Sequence, residues 1–139
     1  MKLLFLGGVF PKEKEKDILS KSREILVQSA NKLQWNLIDG FININEIKLE
    51  IISAPFIPPF PKYYKELFIK GYDFEYKGIK VKSVPFCNLW GYRNISRKRS
   101  IIKNMENFIS QKDSEKAIVV YSAHTPFLKA AIYAKKRDP

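Results

Sequence analysis

The sequence predicts an α/β fold of the Rossmann-like type, a parallel sheet with helices on both faces, on three observations. Residues 3–6 and 117–121 are short, uncharged apolar runs, the composition of strands covered on both sides. Between and after them apolar residues recur at helical spacing. The two patterns alternate along 139 residues, a length that suits one domain, and such alternation implies parallel strands joined by right-handed crossovers.

Leu3-Leu4-Phe5-Leu6 is the first strand, ended by Gly7-Gly8. Lys12 to Asp17 alternates in sign and predicts a solvated helix start. From Asp17 a long first helix is expected, with Ile18, Leu19, Ser22, Ile25, Leu26, Ser29, Ala30, Leu33 and Leu37 on its buried face and Gly40 as its stop. Residues 50–54 form the next strand, cut off by Pro55, which can neither donate to a ladder nor follow a helical residue. Residues 55–64 are a stiff aromatic loop carrying four of the eight prolines. Extended runs at 74–76 and 79–82 flank Lys77-Gly78 and predict a hairpin with one face in water. Ser96 is placed to cap a helix carrying Ile101, Ile102, Met105, Phe108 and Ile109, which ends at Asp113 and Ser114. Residues 117–121 make a second fully buried strand. Thr125-Pro126 opens the last helix, with Phe127, Leu128, Ala131 and Ile132 on its apolar face and Lys135, Lys136 and Arg137 at its negative end. That helix should feed another strand, so the chain reads as part of a longer protein.

Composition excludes several classes. At 45% hydrophobic and 14% aromatic residues the chain is a folded globular protein. Its longest uncharged apolar run, residues 3–11, is far short of the ~20 residues that span a bilayer, and no small-residue cleavage site follows that would make it a signal peptide. Cys87, the single cysteine, has no intrachain partner and reads as a small buried hydrophobe in a reducing, cytoplasmic compartment. A net charge of +11 predicts attraction to phosphorylated substrates, an anionic membrane or nucleic acid. Arg93, Arg97, Lys98, Arg99 and Lys103 are the basic patch, because no acid interrupts them. Recognised RNA-binding patterns and helix-turn-helix spacing are lacking, so nucleic acid is not the expected partner, although a non-catalytic basic module for a polyanion is the alternative function.

In open α/β sheets ligands bind at the carboxyl ends of the strands, which directs attention to Gly7-Gly8 and Ser122-Ala123-His124. Paired glycines allow close approach of backbone to phosphate or sugar oxygens, or simply make a tight turn. His124, the single histidine, stands between a strand end and a helix start, as a catalytic or ligand-contacting group or as a structural residue bonded to loop backbone. Phe60, Tyr63 and Tyr64, mixed with Lys62 and Lys65, suit sugar stacking or a membrane interface, or else fold back to pin the loop. Arg93 and Arg97 suit phosphates or lipid head groups, or a solvated helix start. There is no Gly-x-Gly-x-x-Gly, no Asp-x-Asp, no P-loop and no metal-ligand cluster, so neither a dinucleotide cofactor nor a metal is expected.

Three segments together, residues 2–8, Ile51-Ile52-Ser53-Ala54-Pro55-Phe56 and Val119-Val120-Tyr121-Ser122-Ala123-His124-Thr125-Pro126-Phe127, resemble the N-terminal domain of GT-B glycosyltransferases of family 4, especially those of bacterial polysaccharide synthesis. The resemblance implies that residues 1–139 are the acceptor-side half of a retaining, metal-free enzyme. Such an enzyme moves a sugar from a nucleotide-sugar donor to a lipid-linked or saccharide acceptor. It further implies that Gly7 and Gly8 lie near the donor diphosphate and the acceptor, and that His124 contacts the transferred sugar. The basic face would meet the acceptor's pyrophosphate or the inner leaflet of the plasma membrane. The glutamates and basic residues with which the family grips the nucleotide belong to a second domain, so the 139 residues alone are expected to be inactive.

Overall fold

A computed structural model describes residues 1–25, 28–112 and 115–138. The chain runs β1 (Lys2–Gly7), α1 (Lys12–Lys21), α2 (Gln28–Ile42), β2 (Lys48–Ser53), β3 (Phe68–Ile69), β4 (Tyr72–Tyr76), β5 (Ile79–Ser83), β6 (Phe86–Cys87), α3 (Arg93–Ser110), β7 (Lys116–Val120) and α4 (Thr125–Arg137). One sheet has the order β4-β5-β2-β1-β7 and a second pairs β3 with β6. Within the larger sheet β1 is parallel to β2 and β7, and β2 to β5; only the β4–β5 hairpin is antiparallel. The fold is therefore α/β with a mostly parallel five-stranded sheet flanked by helices.

Alternation along β1 creates the two cores. Leu4 and Leu6 face α3 and α4, where Ile101, Met105, Phe108, Phe127 and Ala130 complete one cluster with Ile18 of α1. Leu3 and Phe5 face α2, where Ile38 joins Ile51 and Val81. The crossover out of β1 leads to β2 on one side, and the later crossover through α3 leads to β7 on the other, which puts the fold's crevice at the carboxyl ends of β1 and β7.

Several expectations are corrected. The long helix from Asp17 is two helices: α1 ends at Lys21, and Ser22 is extended and bridges to Tyr64. Gly40 does not stop α2 but lies within it. The buried stripe of α2 carries Gln34 and Ile38, while Leu33 and Leu37 are exposed at 52% and 43%. A polar residue took the core-facing position because a loop of backbone needs it there, as described below. Leu26 lies outside the described residues, as do Asp113 and Ser114. Helix α3 begins at Arg93, not Ser96, and the Ser96 hydroxyl accepts the Cys87 N–H at 2.8 Å. His124, not Thr125, stands at the N-cap of α4, with no side-chain capping bond. Strand β7 is an edge strand, so all five of its residues are only partly buried.

The hairpin has the expected form. Lys77 and Gly78 both take positive φ (48° and 79°), the left-handed pair that a tight two-residue turn between twisted strands demands.

Candidate functional site

Three strand ends meet at the crevice: Gly7-Gly8 at the end of β1, Ser53 to Phe56 at the end of β2, and Tyr121 to His124 after β7. Neither Gly7 nor Gly8 has a left-handed φ. Their lack of a side chain serves packing. A Cβ on Gly7 would stand 2.4 Å from the Gln34 Oε1, and one on Gly8 would stand 2.6 Å from the Phe56 ring. The Gly8 N–H donates to that same Gln34 oxygen at 2.8 Å. Two residues on, the Asn31 side chain accepts from the Phe10 N–H and donates to the Phe10 carbonyl, and the Trp35 indole donates to it too. Helix α2 thus offers amides in place of a ladder partner to a segment that has left the sheet.

Phe56 is the centre of the site. Gly8 lies against one part of its ring, the His124 imidazole stacks on it with centroids 4.9 Å apart, and Phe127 meets it edge-on at 5.7 Å. Ser122, with φ 72°, turns the chain sharply after β7 and sets His124 at the start of α4. Such a conformation costs a non-glycine residue about 1–2 kcal/mol, so the surrounding packing holds it.

Behind this stack the loop from Pro55 to Pro58 is held by side chains. Prolines supply carbonyls and no N–H, so the loop must find donors elsewhere. Arg97 donates to the Pro55 carbonyl at 2.6 Å, Arg93 to the Ile57 carbonyl and Asn88 to the Pro58 carbonyl, both at 2.8 Å. Arg97 is 1% exposed, rests over the Phe86 ring at 4.4 Å and leaves its Nε unpartnered. Burial, reinforced by the charge of Arg93, pulls its pKa down to about 9, so the guanidinium is still charged at neutral pH. Burial also lowers Arg93. Burial, then the charges of Arg97 and Arg93, hold the His124 imidazole below its ordinary pKa and keep it neutral.

Of the residues expected from sequence, Gly7, Gly8, His124, Arg93 and Arg97 therefore share one region. Phe60 pairs with Leu89, whose carbonyl accepts the Arg93 N–H, whereas Tyr63 and Tyr64 lie toward α1. Tyr64 is in the core beside α1, and burial raises its phenol to about 12. Tyr63 is half-buried with Lys62 over its ring at 4.8 Å. Sequence reasoning missed Phe56 as a site residue, although it immediately follows the end of β2 and Pro55. It also missed Gln34, which only the unpaired Gly8 N–H explains.

Among the described residues no group of three or more His, Cys, Asp or Glu side chains is placed to hold a metal, and no helix is long and apolar enough to cross a membrane. No protein-family model, curated protein or solved structure matches this chain.

Proposed function

We propose that this chain is the acceptor-side, Rossmann-like domain of a retaining GT-B glycosyltransferase, transferring a sugar from a nucleotide-sugar donor to a lipid-linked or saccharide acceptor in polysaccharide synthesis. The observation that carries this reading is the placement of His124. It stands at the carboxyl end of β7, next to the crevice made by the order β5-β2-β1-β7, with a neutral imidazole stacked on Phe56. A neutral imidazole at this position donates a hydrogen bond to a sugar hydroxyl and does not compete for the donor's phosphates. The reaction needs positioning and stabilisation of the departing diphosphate, with no covalent step required of these residues. A second α/β domain grips the nucleotide.

Peripheral contact with the cytoplasmic membrane face belongs to the same proposal. Trp90, Phe68, Ile95, Leu89 and Tyr92 are exposed at 75, 70, 44, 43 and 39%. They adjoin the β3–β6 pair and the start of α3, where Arg99 reaches the Tyr92 hydroxyl. Aromatic rings beside basic side chains suit a membrane interface.

Transfer assayed on the two-domain protein, with labelled nucleotide sugars and lipid-linked acceptors, tests the reading. His124→Ala should lower kcat by roughly 100-fold, the scale on which a well-placed polar group contributes. Unchanged turnover would remove His124 from the reaction. The net charge of +11 supports a second reading, a non-catalytic polyanion-binding module. A salt-dependent gel shift with random RNA or DNA, absent any sugar transfer, would favour it.

A further inference from the structure

A pocket of about 230 Å³ lies apart from the stack of Phe56 and His124: neither of those residues lines it, whereas Pro55 and Ile57 do. Helix α1 contributes Ile18, and the loop before β3 contributes Tyr64. These walls are apolar, since Ile18 and Ile57 are 8% and 4% exposed and belong with Tyr64 to one core cluster. Tyr72 of β4 also lines the pocket.

Two features of this pocket serve no purpose in the fold. The Tyr72 hydroxyl is buried without a hydrogen-bond partner. Ser83, opposite it on β5, is near enough to counter part of the rise in the Tyr72 pKa that burial causes, yet its own hydroxyl is unpartnered too. An unsatisfied buried hydroxyl costs stability that a phenylalanine of the same shape would not. Packing does not call for the oxygen, because Phe74 follows on the same face of the strand and meets the Tyr72 ring with centroids 5.8 Å apart. The second feature is charge. Lys21 is held by both Asp17 and Glu66. Lys14 and Lys70 line the pocket as well and enter no ion pair among the described residues. The Lys14 ammonium stands 5.0 Å from the centre of the Tyr72 ring.

We propose that this pocket binds a small carboxylate with an apolar body. The Tyr72 hydroxyl donates to the carboxylate, Lys14 balances its charge, and the body rests on Ile18, Ile57 and Tyr64. An orphan donor, an unpaired cation beside it and apolar walls match the two ends of such a molecule. The volume falls below the roughly 300–1,000 Å³ of drug-sized clefts, so the body is one ring or a short chain. Burial raises both phenols, Tyr64 to about 12, so each stays protonated at neutral pH and remains a donor. The site depends neither on the crevice nor on sugar transfer.

Sodium benzoate, sodium hexanoate and benzamide, the uncharged control, are each titrated into the isotope-labelled chain and followed by amide NMR. At least one of the two acids should give saturable shifts at Lys14, Ile18 and residues 69–72, and benzamide should give none. Tyr72→Phe should weaken binding of that acid roughly tenfold, the scale of a hydrogen bond to a charged group. It should also raise the Tm of the ligand-free chain by about 3 °C, because it removes an unpaired buried hydroxyl. Lys14→Gln should weaken binding several-fold and leave Tm unchanged. No saturable shift at these residues with either acid, equal binding of benzamide, or undiminished binding in Tyr72→Phe overturns the proposal. A Tyr72→Phe chain less stable than the parent overturns it too, since the hydroxyl would then serve the fold.

Discussion

Gly8→Ala is the sharpest perturbation of the crevice, because the added methyl has nowhere to go. Its carbon would stand 2.6, 2.8 and 2.8 Å from three carbons of the Phe56 ring, about 1 Å inside ordinary carbon–carbon contact. The ring cannot retreat freely, since His124 stacks on it and Phe127 abuts it. Overpacking of this kind costs about 1–3 kcal/mol. Alanine loses less chain entropy than glycine on folding, which returns about 0.4–1 kcal/mol where φ permits a side chain, as it does here. The net cost is about 1–2 kcal/mol. For 139 residues an unfolding entropy of about 2.1 cal/mol/K per residue gives a fall in Tm of roughly 3–7 °C. Thermal unfolding followed by circular dichroism measures it, in a double-mutant cycle with Phe56→Ala. In the Phe56→Ala background the methyl has room, and Gly8→Ala should be neutral or slightly stabilising. If it costs as much there as in the parent, Phe56 is not what makes glycine necessary and the packing account of the site fails.

Gln34→Leu preserves bulk but leaves the buried Gly8 N–H without its acceptor, so denaturant unfolding should show a loss of about 1–3 kcal/mol. The depressed pKa of His124 means that the folded chain binds fewer protons than the unfolded one as pH falls past the ordinary histidine value. The stability tied to the neutral imidazole is present above about pH 6.5 and is lost as pH falls through the folded value; urea midpoints of the parent should therefore drop more steeply on acidification than those of His124→Asn. Trp90→Ser should weaken flotation with phosphatidylglycerol vesicles several-fold and leave circular dichroism unchanged, because the indole is 75% exposed.

Much of the sheet was legible because its signals are local. Continuous apolar runs marked β1 and β7, Pro55 marked the end of β2 and Lys77-Gly78 marked the hairpin turn. Helix α2 was misread for a physical reason: its inward face carries Asn31 and Gln34, which satisfy the backbone of Gly8 and Phe10. A scan for apolar periodicity rejects those positions and chooses Leu33 and Leu37, which are exposed. Strands β3 and β6 are two residues each, too short for any period. The site was legible as a place, since strand ends pointed to Gly7, Gly8 and His124. Its contents were not. A charge run reads as a solvated face, and nothing near Arg97 in sequence announces that it lies at 1% exposure beneath Pro55.

The central claim is that ligands enter at the carboxyl edge of the sheet, over Gly8, Phe56 and His124. Amide NMR mapping of the chain titrated with a uridine diphosphate sugar tests it most directly. The account predicts saturable shifts at Gly8, Phe56, Arg93 and residues 122–125. Shifts confined to the apolar groove of Phe108, Ile118, Leu128 and Ile132 between α3 and α4, with the strand ends unmoved, would contradict it.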